Sequence, residues 1–385
     1  MGYNKKPSCY APWMNTYEWT TEPGETIITP CCEWPPESPN AIKTTEHMSF
    51  EDRFNHPNWQ KIRATFLTKP IEQIPECINC VNNERHGLMS HRDSINMIAD
   101  KIPQPLDTTK FKLRRMDYRE SNLCNFSCKM CGHYLSSTHA KIKGVGGKTG
   151  ILRNAQHLQE YLNNLEDVEV VDFLGGEPTL MNSMYIVMKE LKKRKLEKKV
   201  QISITTNASV LHREKDKLLE HIYGFKGTKI AVSIDATGEQ HNYWRHKGTW
   251  DAVWKNTQEI YKYTTDPKNK CKLAIRTALS WPNTYAARKV FELFKDMNVQ
   301  HMHNMVTTPP ALNVSQLPQE YLDDLVEYWA DYPQIQTVFK NTIANTDYRL
   351  LCEFFFINKK HDIWHKNSFV DAFPEFKDFY NDGKF

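Results

Sequence analysis

No run of about 18 consecutive apolar residues occurs in this chain, so a membrane-spanning helix is not expected. The opening residues, Met1 to Pro7, contain no apolar stretch of the kind that marks a secretory signal, which points to the cytoplasm. A strong charge of one sign is also missing. Fifty Lys and Arg stand against 46 Asp and Glu, a net +4, too mild to argue for nucleic acid or an anionic membrane as partner. Nor is the chain poor in apolar (40%) or aromatic (12%) residues, which excludes a disordered polypeptide. With 385 residues it can bury a substantial core, divided over two domains and a closing segment.

What the chain does have is cysteine, ten in all. Without a secretory signal they read as metal ligands in a reducing compartment and not as disulfides. The most informative stretch is Cys124-Asn-Phe-Ser-Cys128-Lys-Met-Cys131, which follows an apolar-alternating run from Phe111 to Tyr118. Three thiolates at C-x3-C-x2-C spacing can each bind one iron of a cubane [4Fe–4S] cluster and leave the fourth iron open to a substrate or cofactor. The plainer alternatives are a zinc site short of one ligand, or buried free cysteines. A second motif, Leu174-Gly175-Gly176-Glu177-Pro178, closes the next strand-like run.

C-x3-C-x2-C followed by G-G-E-P, each at the end of a strand, resembles the radical SAM superfamily. The resemblance implies a catalytic [4Fe–4S] cluster on Cys124, Cys128 and Cys131. It also implies S-adenosylmethionine on the open iron, cleaved reductively to a 5′-deoxyadenosyl radical. The residue before the third cysteine is commonly aromatic in the family and packs near the adenine. Here it is Met130, whose thioether can fill that space.

The N-terminal stretch carries Cys9, Cys31, Cys32, Cys77 and Cys80. A hairpin with its turn at Glu22-Pro23-Gly24 leads to Pro30-Cys31-Cys32. A helix over roughly 57–66 carries Trp59, Ile62 and Phe66 at helical spacing. Cys77-Ile-Asn-Cys80 follows. If one of the neighbouring pair is used, four thiolates can hold a complete [4Fe–4S] cluster or one zinc. The arrangement resembles the auxiliary-cluster domain (SPASM, or its shorter form, twitch) of radical SAM maturases. That resemblance implies a second, auxiliary [4Fe–4S] cluster on Cys9, Cys31, Cys77 and Cys80, with Cys32 as the substitute for Cys31. In the family this module usually follows the barrel, whereas here it precedes it. Residues 81–110 read as a linker with one helix around Ser94–Ile98, ended by Pro103 and Pro105.

From 110 to about 310, strand-like runs (about 111–119, 168–174, 200–205, 229–235, 272–279 and 299–305) alternate with amphipathic helices. The helical faces are Ala155/Leu158/Leu162/Leu165, Met184/Val187/Met188/Leu191, Val253/Thr257/Ile260/Tyr261 and Ala287/Val290/Phe291/Phe294. Repeated βα units predict a parallel sheet with right-handed crossovers. Six of them resemble the family's partial (β/α)6 barrel, so the fold class is α/β. In such sheets ligands bind at the C-terminal strand ends.

The resemblance places Gly175, Gly176, Glu177 and Pro178 at the ammonium of S-adenosylmethionine, with Glu177 fixing the turn or pairing with that charge. Asn207 and Asp235 become ribose or carboxylate contacts. Ser233 and Arg245 become the carboxylate ligands, the latter suited by its forked guanidinium. Structural alternatives are a plain Gly-Gly turn and an Arg245 surface ion pair. Ala208 and Ala236 stand where the family commonly has Gly.

Other features are discounted. Gly144-Val-Gly-Gly147-Lys148-Thr149 ends like a phosphate loop but lacks the first Gly, and it reads as a loop over the cluster tied to Ser136-Ser137. His301 and His303 either line the substrate pocket or pack in the core or rim. Cys271 reads as buried. Cys352, beside Phe354-Phe355-Phe356, reads as a core thiol, with a substrate-thiyl role as the alternative. Pro318 opens a helix with Tyr321, Leu322, Leu325 and Trp329 on one face, and the aromatic end, Phe369 to Tyr380, is helical closure.

The expected organisation is 1–105 for the auxiliary-cluster domain and linker, 106–310 for the radical SAM core, and 311–385 for C-terminal closure. The expected protein is an enzyme that takes hydrogen from a substrate, a peptide or protein being modified. Its reductant is a one-electron donor such as flavodoxin or ferredoxin. No catalytic residue is assigned beyond the cluster ligands. The alternatives are a radical SAM enzyme acting on a small molecule, or a non-catalytic iron–sulfur or zinc protein.

Overall fold

The structure is a computed structural model that describes residues 6–19, 25–85, 89–102, 107–142, 144 and 155–381. The N-terminal part forms a small antiparallel sheet in which β2 (Thr26–Thr29) pairs with both β1 (Tyr17–Trp19) and β3 (Ile42–Thr44). The predicted hairpin turn, Glu22-Pro23-Gly24, lies outside the described residues, as do Pro103 and Pro105. Helix α1 (Pro57–Thr68) buries Trp59, Ile62 and Phe66, the three residues at helical spacing. Helix α2 (Ile78–Arg85) carries Cys80, so part of the stretch read as linker is helical. Helix α3 (His91–Ala99) begins at a Ser90/Asp93 capping box, which satisfies two amide donors at once. Trp13, Trp34, Trp59, Phe66 and Ile95 form the core here.

The larger sheet has six parallel strands in sequence order: β4 (Arg115–Arg119), β5 (Val170–Leu174), β6 (Gln201–Thr206), β7 (Gly227–Ser233), β8 (Cys271–Leu279) and β9 (Gln300–Met305). Crossover helices α4 (Ala155–Asn163), α5 (Asn182–Lys193), α6 (Trp250–Thr264) and α7 (Thr284–Phe294) cover one face. This is the predicted α/β fold with a partial parallel barrel. The first strand begins at Arg115 and not near 111, because the amides of Lys112 and Arg114 donate to the carbonyls of Trp13 and Met14.

Alternation along the strands separates the two faces. Met116, Tyr118, Val171, Phe173, Ile202, Ile204, Ile230, Val232, Leu273 and Ile275 share the apolar core with Val187, Val253, Ile260 and Val290 of the helices. The intervening residues, among them Arg115, Asp117, Asp172, Ser203, Lys229 and Arg276, lie on the opposite, inner face. Cys271 is buried in the same core, as expected.

His301 and His303 pair in register with Ile275 and Thr277, on the helix-facing side. They do not line the inner face. His301 stacks on Phe291 with ring centroids 3.6 Å apart, and its Nε2 lies 3.1 Å from Thr277 Oγ1.

In the C-terminal region α8 (Gln319–Tyr328) buries Leu322 and Leu325 after Pro318, as expected. Two further helices, α9 (Pro333–Asn341) and α10 (Tyr348–His365), follow in the segment expected to close the fold. Cys352 on α10 is half-buried and not a core thiol, and Phe356 is 61% exposed. Trp281 is fully buried among Phe354, Phe355, Phe369, Phe376 and Phe379, with centroids 5.2–5.7 Å away. Among the described residues no helix is long and apolar enough to cross a membrane.

Two outcomes follow from this packing. Trp281→Ala should cost about 3–5 kcal/mol of unfolding free energy in denaturant titration, and a loss below about 1 kcal/mol would contradict the packing described. Burial lowers the His301 pKa from 6.5 to about 4. Its stabilising contribution is therefore present above the unfolded value and lost as pH falls from about 6.5 towards 4. Stability measured against pH should show a shallower acid limb in His301→Gln, and an unchanged limb would refute this assignment.

Candidate active site

β4 ends at Arg119, and the chain enters an irregular loop carrying Cys124, Cys128 and Cys131. Partners outside the loop satisfy much of its backbone. Ser127 N donates to His246 O at 2.9 Å and Lys129 N to Trp244 O at 2.8 Å. Ser136 Oγ reaches Phe126 O at 2.6 Å, and Ser137 Oγ and Thr138 Oγ1 reach Cys124 O at 3.2 and 2.7 Å. The predicted tie of the Gly-rich stretch to Ser136-Ser137 falls on residues 145–149, which lie outside the described residues.

The three thiols are within electrostatic reach of one another. Burial pushes Cys124 up to about 12 and raises Cys128 and Cys131 as well. Thiols in this setting ionise when a metal centre compensates the burial. Phe126 N donates to Cys124 Sγ at 3.4 Å, and Asn207 Nδ2 lies 4.0 Å from the same sulfur. Three thiols on a braced loop, that of Cys128 buried and those of Cys124 and Cys131 on half-buried residues, fit a cluster with one open iron. Met130 is half-buried and packs against both the sheet core and the C-terminal core.

The Gly175–Pro178 segment is pressed onto this loop. Gly175 has φ +135°, and a Cβ on Gly176 would stand 2.4 Å from Leu123 O and 2.5 Å from Asn122 O. Only glycine permits that approach. Gly176 N donates to Ser121 O at 3.2 Å and Glu177 N to Leu123 O at 2.7 Å. Pro178 is buried and opens a 3-10 turn, Pro178–Leu180.

The Glu177 carboxylate is fully buried and accepts four hydrogen bonds. They come from Thr179 N (3.2 Å), Thr179 Oγ1 (2.7 Å), Thr206 Oγ1 (2.6 Å) and Asn207 N (2.6 Å). Of its two expected roles, this arrangement serves the fixing of the turn.

Asn207 is likewise engaged, donating to Asn125 Oδ1 at 3.1 Å and accepting from Ser209 N at 2.9 Å. Ala208, where the family commonly has Gly, sits at φ 54°. Ser233 ends β7 on the inner face. Asp235 accepts from Ala278 N and from Arg245 Nη1, both at 2.7 Å. Arg245 is thus a buried ion pair and not a surface one, and its buried Nε has no hydrogen-bond partner among the described residues. Burial opposes the Arg245 charge, but Cys128 and Asp235 outweigh it and hold the guanidinium protonated.

In the N-terminal part, Cys9, Cys31, Cys77 and Cys80 line one cavity together with Phe66, Ile71 and Ile95. Ala11 N donates to Cys9 Sγ at 3.4 Å, and the amides of Arg92 and His91 face Cys80. Four thiols around one cavity, two of them (Cys9 and Cys80) faced by amide donors, fit a closed four-coordinate centre. Cys32 turns away from this group. Its Sγ is 3.9 Å from His91 Nδ1, and His91 Nε2 is 3.5 Å from Asp117 Oδ2. Asp117 is already engaged by Arg115 Nε (3.0 Å) and Asn15 Nδ2 (2.9 Å). Among the described residues these three are the one metal-like grouping of His, Cys and acid. The Arg115 charge beside Asp117 argues against a cation there.

Motif reading missed what braces the site from a distance. Lys129, inside the cysteine loop, pairs with Asp362 of α10 at 3.3 Å. Asp362 also accepts from Tyr243 OH at 2.9 Å and Phe369 N at 2.8 Å. The 233-residue separation of Lys129 and Asp362 leaves no local signal. The inner-face charges were legible in Arg115-Met-Asp117-Tyr-Arg119, where every second residue is charged.

Gly176→Ala should cost about 1–3 kcal/mol by overpacking against fixed backbone and weaken cluster retention, read as iron per chain after desalting. Wild-type stability and iron content would show the approach to be relaxed.

Residues 120–274 match the family model Radical SAM superfamily. A search of curated proteins found no match. Among solved structures the chain is similar to native anSMEcpe with bound AdoMet (TM-score 0.42, 18% identity, 61% of this chain and 64% of that one). It is also similar to Streptococcus suis SuiB bound to S-adenosylmethionine (TM-score 0.36, 15% identity, 70% of this chain and 52% of that one). The chain thus spans less than two thirds of the length of either. The match to the radical SAM superfamily thus takes in residues 120–274, which carry the three-cysteine loop, the G-G-E-P turn and strands β5 to β7.

Proposed function

We propose that the protein is a radical enzyme whose catalytic [4Fe–4S] cluster is held by Cys124, Cys128 and Cys131 and whose substrate is a peptide or protein. The observation that carries this reading is the three-thiol loop pressed against Gly175–Pro178 and braced by Glu177. When bound, the cluster and S-adenosylmethionine supply the 5′-deoxyadenosyl radical that takes hydrogen from a substrate carbon. The chain's own residues hold and aim. Gly175 and Gly176 bring backbone close to the amino acid end of the cofactor. Ser233 and the free Nε edge of Arg245 face its carboxylate, while Asp235 fixes the guanidinium plane. The loop's bonds to Trp244 and His246 keep its sulfurs in place.

Cys9, Cys31, Cys77 and Cys80 are the ligands of the second, auxiliary [4Fe–4S] cluster in this reading, and residues 1–105 form its domain. With four protein ligands that centre relays an electron and does not bind substrate. A flavodoxin or ferredoxin supplies the electrons. The peptide assignment rests on the likeness of the four-cysteine module to the auxiliary-cluster domain of maturases.

Anaerobic reconstitution should give about eight irons per chain and 5′-deoxyadenosine on reduction. Cys128→Ala should abolish the nucleoside. Cys31→Ala should lose about four irons and Cys32→Ala none. About four irons with bound zinc in the wild type would make the N-terminal centre structural. Nucleoside release by Cys128→Ala at the wild-type rate would overturn the catalytic assignment.

A further inference from the structure

The inner face of the sheet holds two half-buried cations, Lys229 and Arg276, that the assignments above leave unused. Register places them. Ile230, Val232, Leu273 and Ile275 belong to the helix-facing core, so Lys229, Ala231 and Ser233 of β7 and Ala274 and Arg276 of β8 share the opposite face. The electrostatic neighbours of Lys229 agree, since they are Arg276, Asp172 and Arg115, drawn from three other strands.

Neither cation has a carboxylate partner among the described residues. Lys229 Nζ lies 3.7 Å from Met302 Sδ. Arg276 Nε is buried with no hydrogen-bond partner. The nearby carboxylates are committed elsewhere, because Arg115 pairs with both Asp117 and Asp172. Arg119 spends Nη2 on Tyr134 O at 2.9 Å. Burial, with Arg276 adding to it, lowers the Lys229 pKa, the mark of a cation without its counter-charge.

The spacing suits a shared ligand. Arg276 pairs in register with Ser233, four residues beyond Lys229, so the two backbones are about 13 Å apart along the strands. Only the methyl groups of Ala231 and Ala274 stand between them on these two strands. Two long side chains can close on one oxyanion across that gap. A forked guanidinium and an ammonium together match a carboxylate.

We propose that Lys229 and Arg276 bind a carboxylate of the substrate on the inner face of the sheet, next to Ser233. The proposal rests on the radical-enzyme reading, which puts the cofactor at the C-terminal ends of these strands. The carboxylate belongs either to an acidic side chain of a peptide or to a free small acid, and the chemistry of recognition is the same.

The test uses the anaerobically reconstituted protein with S-adenosylmethionine present. Thermal shift and calorimetry are run with glutarate, with acetyl-Ala-Glu-Ala-amide and with acetyl-Ala-Gln-Ala-amide. The proteins are the wild type, Lys229→Gln, Arg276→Gln, Arg276→Lys and, as a control for general charge, Lys255→Gln on the exposed face of α6. At least one acidic probe should bind the wild type and the control, and its affinity should fall about tenfold or more in Lys229→Gln and Arg276→Gln. Arg276→Lys should recover part of that loss. It also keeps the test open if Arg276→Gln does not fold.

Glutarate alone would mark a small acid as the source, and the Glu peptide alone an acidic side chain. Three results would overturn the proposal: no acidic probe binds the wild type, the Gln peptide binds as well as the Glu peptide, or the variants bind the probes as the wild type does. Variants that lose S-adenosylmethionine and keep the probes would move both cations to the cofactor and also overturn it. The underlying reading fails separately, if the wild type releases no 5′-deoxyadenosine on reduction while probe binding still depends on Lys229 and Arg276.

Discussion

The buried carboxylate of Glu177 is the joint on which the site depends. It sits between the turn after β5 and the end of β6, taking two bonds from Thr179 and one each from Thr206 and Asn207. A carboxylate without solvent persists when donors surround it in this way. It thereby locks together two strand ends that must keep their spacing if the cysteine loop is to lie across them. The loop is held from the same direction, because Gly176 lets the Ser121–Leu123 backbone come closer than any side chain would allow.

The surroundings of the loop come from remote parts of the chain. Lys129, sitting between two cysteines, reaches Asp362 of α10, and Tyr243 and Asn358 complete the network, with Asn358 Nδ2 donating to Tyr243 OH at 2.7 Å. A mostly buried ion pair of this kind contributes little net stability, but breaking one partner leaves the other charge stranded. The C-terminal helices therefore do more than close the fold. They fix the orientation of the segment that carries Cys128, and the aromatic packing around Trp281 holds them there.

The N-terminal part meets the sheet at its β4 edge. Lys112 and Arg114 bond to Trp13 and Met14, and Asn15 and His91 reach Asp117 on the inner face. Cys31 and Cys32 are neighbours in sequence, yet one faces the four-thiol cavity and the other faces the inner surface of the sheet.

Much was legible before the structure. Alternation and helical spacing located the six parallel strands and four of the helices that cross between them, because each element buries one face and its period is local, but not the start of β4 at Arg115 or the short helix Leu218–Ile222 before β7. The two motifs marked the loop and the turn, since three thiols at short spacing and paired glycines next to an acid answer to local chemistry. Where local signals ran out, tertiary structure decided. It chose Cys31 over Cys32 for the cavity, turned His301 and His303 to the helices, and made Glu177 and Asn207 braces. It paired Lys129 with Asp362, and among the described residues it left Lys229 and Arg276 without a paired carboxylate. Each of these depends on which distant groups fill the space around a side chain, and a one-dimensional pattern of residue types does not carry that.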